Sequence, residues 1–333
     1  MKKVLGVSLV LILVLSIFSL GCSSTKQSEK QVTKYPGKQI TITVGYAAGG
    51  AADLMAREMG KFISKKTGQS VIVVNKPGGG GSTAIAEVVG KAPDGYNIAM
   101  VSNGGLLINP YLNNLGFTYD KVTPLAQTVD LPVALAIKAD SQFKTLEDVL
   151  NFAQKNPGKL TFASAGVNST PHLIVEKVAF DKGNGTKLNL IPNTNTPQSI
   201  SELLGGHIDL FSINSPSVKS YYDAKSLRVL AITGKERNPM FPDVPTYKEQ
   251  GFDNLDAYSA YFGFVAPQGT PPEVVKELDN LFKAACVDPE TIAAMKKINQ
   301  DISFLDSKAF TQRLNNDMKT YKDILDKLGV KKQ

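Results

Sequence analysis

Three short stretches combine glycine, alanine and hydroxyl residues where a β-rich run gives way to a helical one. They are YAAGGAAD (residues 46–53), NKPGGGGST (75–83) and ASAGVNSTPH (163–172). Glycine lets backbone approach a guest closely and adopt positive φ. The N–H groups of a helix's first turn lack intrahelical partners and attract anions. One such terminus contributes ~0.3–1 kcal/mol when exposed and up to ~2 kcal/mol when partly buried. Converging termini with hydroxyl donors would reach a few kcal/mol, against about 1.4 kcal/mol for each tenfold in affinity. The chemistry indicated is anion capture by main-chain amides, without an arginine. Taken singly, each stretch is equally a tight turn that needs small residues. Three in one chain, each at a strand end, point to a pocket. Ser82 and Thr83 are expected to cap the second helix; in the third, Thr170 would cap and Pro171 would take the first helical position.

Other chemistries fit poorly. A phosphate-binding loop needs G-x-x-x-x-G-K-[ST], and neither glycine stretch has its lysine. FASAG (162–166) resembles a G-x-S-x-G nucleophile elbow at Ser164, with His172 as a base, but Phe162 stands where the strained turn needs a small residue. An exported serine hydrolase using Ser164 and His172 is therefore the alternative reading. Only two histidines exist, and His207-Ile208-Asp209 is too sparse for a metal site. No metal, cofactor or catalytic residue is expected. Cys286, in a helical pattern, reads as a buried thiol.

The elements that must position these stretches follow a βαβ rhythm. QITITVGY leads into ADLMAREMGKFISKKTG, SVIVVN into STAIAEVVGKA, and YNIAMVS follows; the alternation resumes from VALAIK through LRVLAITG. This is the pattern of largely parallel, doubly wound α/β sheets. It breaks near Pro239-Met240-Phe241-Pro242 and returns with AYFGFVAPQG, a helix over 272–286 and a long C-terminal helix. Strand crossings near 130–137 and 256–262 imply two lobes joined by two hinge strands, with the last helix packing on the first lobe. The chain has 333 residues, 42% of them hydrophobic and 20% charged, as in an ordinary globular protein. Its start differs: MKK, an apolar run and Gly21-Cys22 resemble a bacterial lipoprotein signal, with Ser19 where leucine is usual. The expectation is a signal over 1–21, lipidation of Cys22, an extracytoplasmic location on a bacterial membrane, and a polar tether over 22–37. An uncleaved anchor would place the rest on the same side. Without Lys2 and Lys3 the formal charge falls from +7 to 7 − 2 = +5. The excess is diffuse, which suits no nucleic acid and favours anionic small molecules or an anionic membrane face.

From Tyr35 to the C-terminus, the chain resembles the solute-binding receptors of tripartite tricarboxylate transporters, the Bug receptor family. The resemblance rests on YPGKQITITVGYAAGGAAD, NKPGGGGSTAIAEVVGKAPDGY, INPYL, NPGKLTFASAG, ELLGGHIDL, LRVLAITGKERNPMFPDVPTYKEQGF and APQGTPPEVV, in this order. It implies a periplasmic-binding-protein-like Venus flytrap, with one lobe over 38–131 plus 258–333 and the other over 132–257. Such a receptor closes on a small carboxylate and delivers it to membrane subunits, usually as a monomer. Carried onto this chain, the ligand contacts are Tyr46, Ala48, Gly49, Gly50, Gly80, Gly81 and Ser82 on the first lobe. On the second they are Ser164, Asn168, Ser169, Thr170 and His172. Asp53 would cap its own helix or orient a ligand amine. Asn193 stands where members commonly have tyrosine, Asn195 where glycine is usual, and Ile213 where several have aspartate. These departures fall on the lobe that senses the variable end of the ligand.

Overall fold

The computed structural model describes residues 35–327 and 329, apart from 183, 184, 186, 193–195, 254, 256 and 257. The expected signal, Cys22, most of the tether and Asn193 lie outside the described residues. In chain order the strands are β1 (Ile40–Val44), β2 (Val71–Asn75), β3 (Asn97–Ser102), β4 (Val122–Lys138), β5 (Thr161–Ser164), β6 (Asn189–Leu190), β7 (Leu210–Asn214), β8 (Leu227–Ile232), β9 (Ser259–Pro267) and β10 (Ile302–Leu305). The α-helices are α1 (Ala51–Thr67), α2 (Ser82–Val89), α3 (Asn109–Leu112), α4 (Leu146–Lys155), α5 (Thr170–Lys182), α6 (Thr196–Gly205), α7 (Lys219–Asp223), α8 (Pro272–Val287), α9 (Pro289–Lys297) and α10 (Ser307–Lys327).

Two sheets share one strand. In the first, β2, β1 and β3 run parallel, β9 pairs antiparallel with β3, and β4 pairs antiparallel with β9 and β10. In the second, β6, β5 and β7 run parallel and β4 lies antiparallel between β7 and β8. The change of partners falls at one point: Pro132 still opposes Ser259 of β9, while Val133 already opposes Asn214 of β7. Proline cannot donate to a ladder, so a switch of partners there sacrifices little. The expected strand over 133–138 is thus the second half of a 17-residue strand. Its first half, VTPLAQTVDLP, was hidden by two prolines and mixed polarity; a register shift between Pro124 and Ala126 accommodates the first proline.

The core follows the two-residue period of β4. Val133, Leu135 and Ile137 join the main apolar cluster, while Ala134 and Ala136 face a smaller one with Phe211, Leu203, Ile232 and Phe241. Helix α1 buries Met55, Met59 and Ile63 at helical spacing and ends at Gly68, whose φ of 73° lets its N–H reach Ser64 O. Helix α4 starts from a capping box in which Thr145 and Asp148 satisfy each other's backbone N–H. The sequence pattern left α9 and β10 unseen. Helix α10 packs against β4, and Phe310 reaches Tyr261 of β9 edge-on at 5.8 Å.

Candidate functional site

Strands β1 and β3 end at one edge of the first sheet, and the glycine loop after β2 closes over them. The glycines there are largely instruments of close approach. A Cβ on Gly45 would lie 2.4 Å from Gly81 Cα, one on Gly81 3.0 Å from Tyr46 Oη, and one on Gly105 2.7 Å from Gly80 O. Residues 78–81 all have positive φ, between 55° and 147°. Tyr46 joins the loops: its hydroxyl lies 2.8 Å from Gly80 O and 2.7 Å from Ser102 Oγ, and Gly105 N–H donates to Ser102 Oγ at 3.2 Å. Burial pushes the Tyr46 phenol up to about 12, against the opposing effect of the Ser102 hydrogen bond, so it stays a donor at physiological pH.

Ser82 is buried, and its hydroxyl donates to Gly105 O at 2.8 Å; it locks two loops together and does not cap α2. Asp53 is also committed. It accepts from Gly49 N–H at 2.8 Å, Asn75 Nδ2 at 2.8 Å and Arg57 Nε at 2.9 Å. Burial opposes its charge, but these bonds outweigh it and hold the carboxyl below its ordinary value. Asp53 was expected to cap its own helix or orient a ligand amine; in this geometry it holds the loop that leads into α1. Ala47 to Gly50 and Gly78 to Gly80 remain exposed. The first-turn amides of α1 therefore open onto accessible backbone, while the Gly49 N–H is spent on Asp53.

On the second lobe, β5 and β7 run parallel, and β5 ends at Ser164 opposite Ser212, two residues before the end of β7. Ser164 Oγ and Ser169 Oγ both donate to Gly166 O, at 3.0 and 2.7 Å. Asn168 takes φ of 60° and its N–H donates to His172 Nδ1 at 3.0 Å. The imidazole stacks on Phe162, and its Nε2 faces Glu176 at 3.7 Å. Neither nitrogen is placed to take a proton from Ser164, so the pair lacks the nucleophile–base bond a hydrolase needs. The cap of α5 falls one residue earlier than expected: His172 N–H approaches Ser169 Oγ at 3.4 Å, and Leu173 N–H donates to Ser169 O. Thr170 is freed from that task and meets Tyr321 Oη at 3.2 Å.

The sequence reading missed the segment after β3. A single π-helical stretch, Gly104–Ile108, leads into α3; such turns recur at functional sites. It brings Gly104 to the second lobe, where a Cβ would stand 3.9 Å from Ser169 Cα and 4.0 Å from Asn168 O. Asn103, buried, donates to Ser259 O at 2.9 Å and Tyr321 Oη at 2.7 Å. The paired glycines of SNGG were the available signal. Among the described residues, no group of three or more His, Cys, Asp or Glu could hold a metal ion.

Comparison with known proteins agrees with this architecture. The model of the tripartite tricarboxylate transporter family receptor matches residues 55–330. A Cupriavidus necator UPF0065 protein is 34% identical over 308 residues, 92% of each chain. A solute-binding protein of the family from Polaromonas, solved without ligand, is 30% identical with a TM-score of 0.74, covering 88% of this chain and all of the other. An R. palustris protein solved with adipate shares the fold, at 23% identity and a TM-score of 0.77 over 89% of this chain and 98% of its own.

Proposed function

The chain belongs to the tripartite tricarboxylate transporter receptor family, and on that premise we propose that it captures a small organic carboxylate between its two lobes. The observation that carries this reading is the facing pair of loop clusters: exposed backbone at 47–50 and 78–80 on one side, and the Gly166–Thr170 turn on the other, meeting at Gly104. The donors are the Ala48 amide, the amides opening α1, that of Gly80 and, on the other side, the Asn168 side chain with the Thr170 amide and hydroxyl; the Gly81, Asn168 and Ser169 N–H groups are already spent on Gly78 O, His172 Nδ1 and Gly166 O. Tyr46, Ser82 and Asp53 hold the first cluster in shape; His172 and Ser164 do so for the second. Asn193 would extend the second wall. The lobes are 38–131 plus 258–333, and 132–257, hinged at Pro132 and Ser259. A ligand touching both would stabilise the joined arrangement.

The receptor works outside the cytoplasmic membrane, tethered through lipidated Cys22 after loss of residues 1–21, and passes its ligand as a monomer to membrane subunits. Binding, not catalysis, is its task, in keeping with its relatives. The adipate held by the R. palustris neighbour supports a dicarboxylate as the first compound to try. Calorimetric titration of ligand-free protein with succinate, malate, adipate, citrate, aspartate and benzoate tests the reading. Saturable heat from at least one is expected; none from any would remove it. A Cys22→Ala chain should appear unlipidated by mass spectrometry and leave the membrane fraction.

A further inference from the structure

Helix α10 belongs to the first lobe, yet Tyr321 on it reaches the second. The helix is held at the hinge by Arg313, which donates to Gln127 Oε1 at 2.7 Å, Asp130 Oδ2 at 2.9 Å and Ser259 Oγ at 2.7 Å. Its guanidinium also lies over the Tyr261 ring at 4.2 Å. These partners sit on β4 and β9 where the two strands leave each other, so the helix tracks the hinge. Two turns further on, the Tyr321 hydroxyl stands between Asn103 of the first lobe and Thr170 of the second.

The hydrogens in this chain can be assigned. Ser259 O only accepts, which turns the Asn103 amide so that Nδ2 faces both it and Tyr321. Tyr321 oxygen therefore accepts from Asn103. Two hydroxyl hydrogens remain, on Tyr321 and Thr170, and only one can lie between the two oxygens. The phenol is the stronger acid, and accepting from Asn103 polarises it further, so it is the donor to Thr170. Burial first, and then the nearby Asp317 charge, push its pKa well above the ordinary phenol range, so the hydrogen stays in place. The Thr170 hydrogen is left over, on a buried residue, with no acceptor among the described residues. A carboxylate is acceptor-only.

We propose that Tyr321 is a positioning residue for ligand capture: it accepts from Asn103, donates to Thr170, and so aims the Thr170 hydroxyl hydrogen at the carboxylate between the lobes. The inference rests on the carboxylate reading above. It makes the bond between lobes and the bond to ligand parts of one chain, so that each strengthens the other.

The test is calorimetry with succinate, malate, adipate and citrate on the full mature chain and on Tyr321→Phe, Thr170→Val, Thr170→Ser and the Tyr321→Phe/Thr170→Val double variant. Tyr321→Phe should weaken binding about tenfold, with the ligand-free melting temperature within a few degrees of wild type. Thr170→Val should weaken it at least as much, Thr170→Ser, which keeps the hydroxyl, should recover most of what Thr170→Val loses, and the double variant should be no weaker than Thr170→Val. A merely structural tyrosine would lower the melting temperature and add its loss to that of Thr170→Val; that result, or Tyr321→Phe binding at full strength, overturns the proposal alone. If the wild-type chain binds none of the four acids, the carboxylate reading falls and takes this one with it.

Discussion

Gly104 is the point at which the joined lobes can be pried apart with least damage elsewhere. A Cβ there would make ordinary contacts, 3.9 Å to Ser169 Cα and 4.0 Å to Asn168 O and Ser102 Oγ. Gly104→Ala should therefore bind like wild type. Valine extends one further bond, about 1.5 Å, which brings a methyl as near as about 2.4 Å to Ser169 Cα (3.9 − 1.5). Overpacking of this kind costs about 1–3 kcal/mol. The cost falls on the arrangement with the lobes together, because separated lobes make no such contact. A ligand that needs both lobes then loses about 5- to 150-fold in affinity at 1.4 kcal/mol per decade. Calorimetry with whichever dicarboxylate the wild type binds would read the loss. A melting temperature of ligand-free protein within a few degrees of wild type would show that the fold is intact. Wild-type affinity in Gly104→Val would refute the reasoning, since the loops could not then meet around the ligand.

The adjacent glycine should behave oppositely: Gly105→Ala sets a Cβ 2.7 Å from Gly80 O and 3.2 Å from Ser82 N, and urea denaturation should show a loss of about 1–3 kcal/mol. Full stability in that variant would mean the three loops are not packed as described. Asp53→Asn should destabilise by ~1–3 kcal/mol at neutral pH, because Gly49, Asn75 and Arg57 lose a charged acceptor. A carboxyl held below its unfolded value contributes stability that is present above about pH 4 and lost as pH falls through the lower folded value. Urea midpoints of the two proteins should therefore converge below pH 4, and a constant gap down to pH 2.5 would contradict the assignment. Burial pushes the Cys286 thiol up to about 12, so iodoacetamide at pH 8 should leave it unmodified until the protein is denatured; peptide mass spectrometry of native protein showing full alkylation would disprove its burial.

The fold was legible where hydrophobic period and helix stops agree. ADLMAREMGKFISKKTG carries its apolar residues at helical spacing and its Gly68 stop, and it is α1 almost to the residue. The long C-terminal helix announced itself the same way through Phe310, Leu314 and Tyr321. Illegible parts share a cause: tertiary partners decided them. The first half of β4 has prolines and buried polar residues such as Gln127 and Thr128, which only its neighbours β9 and β10 make tolerable. Helix α3 and the π-helical stretch before it contain glycines and a proline that propensity assigns to loops. Asn103 and Tyr321 lie 218 residues apart, a distance over which no local pattern carries information.

At the site, residue type was readable but its use was not. Glycine answers two different demands there, and the sequence writes both with one letter. Gly45 and Gly105 are small because another backbone passes within contact of where their Cβ would be, and Gly81 because the Tyr46 ring does. Gly49 has open space around it and a φ of 79°, so conformation alone selects it, and its amide is turned inward to Asp53. A loop that looks built to offer amides therefore spends part of itself on holding its own shape. That expense is consistent with a grip made from backbone. Main-chain donors cannot change rotamer to find a ligand, so their aim must be set by packing before the ligand arrives. The Tyr46–Ser102–Gly80 contacts, the Ser82–Gly105 bond and the Asp53–Arg57–Asn75 cluster are that setting. On the proposed carboxylate reading, selectivity among acids then falls to the few groups that can still vary, on the second lobe.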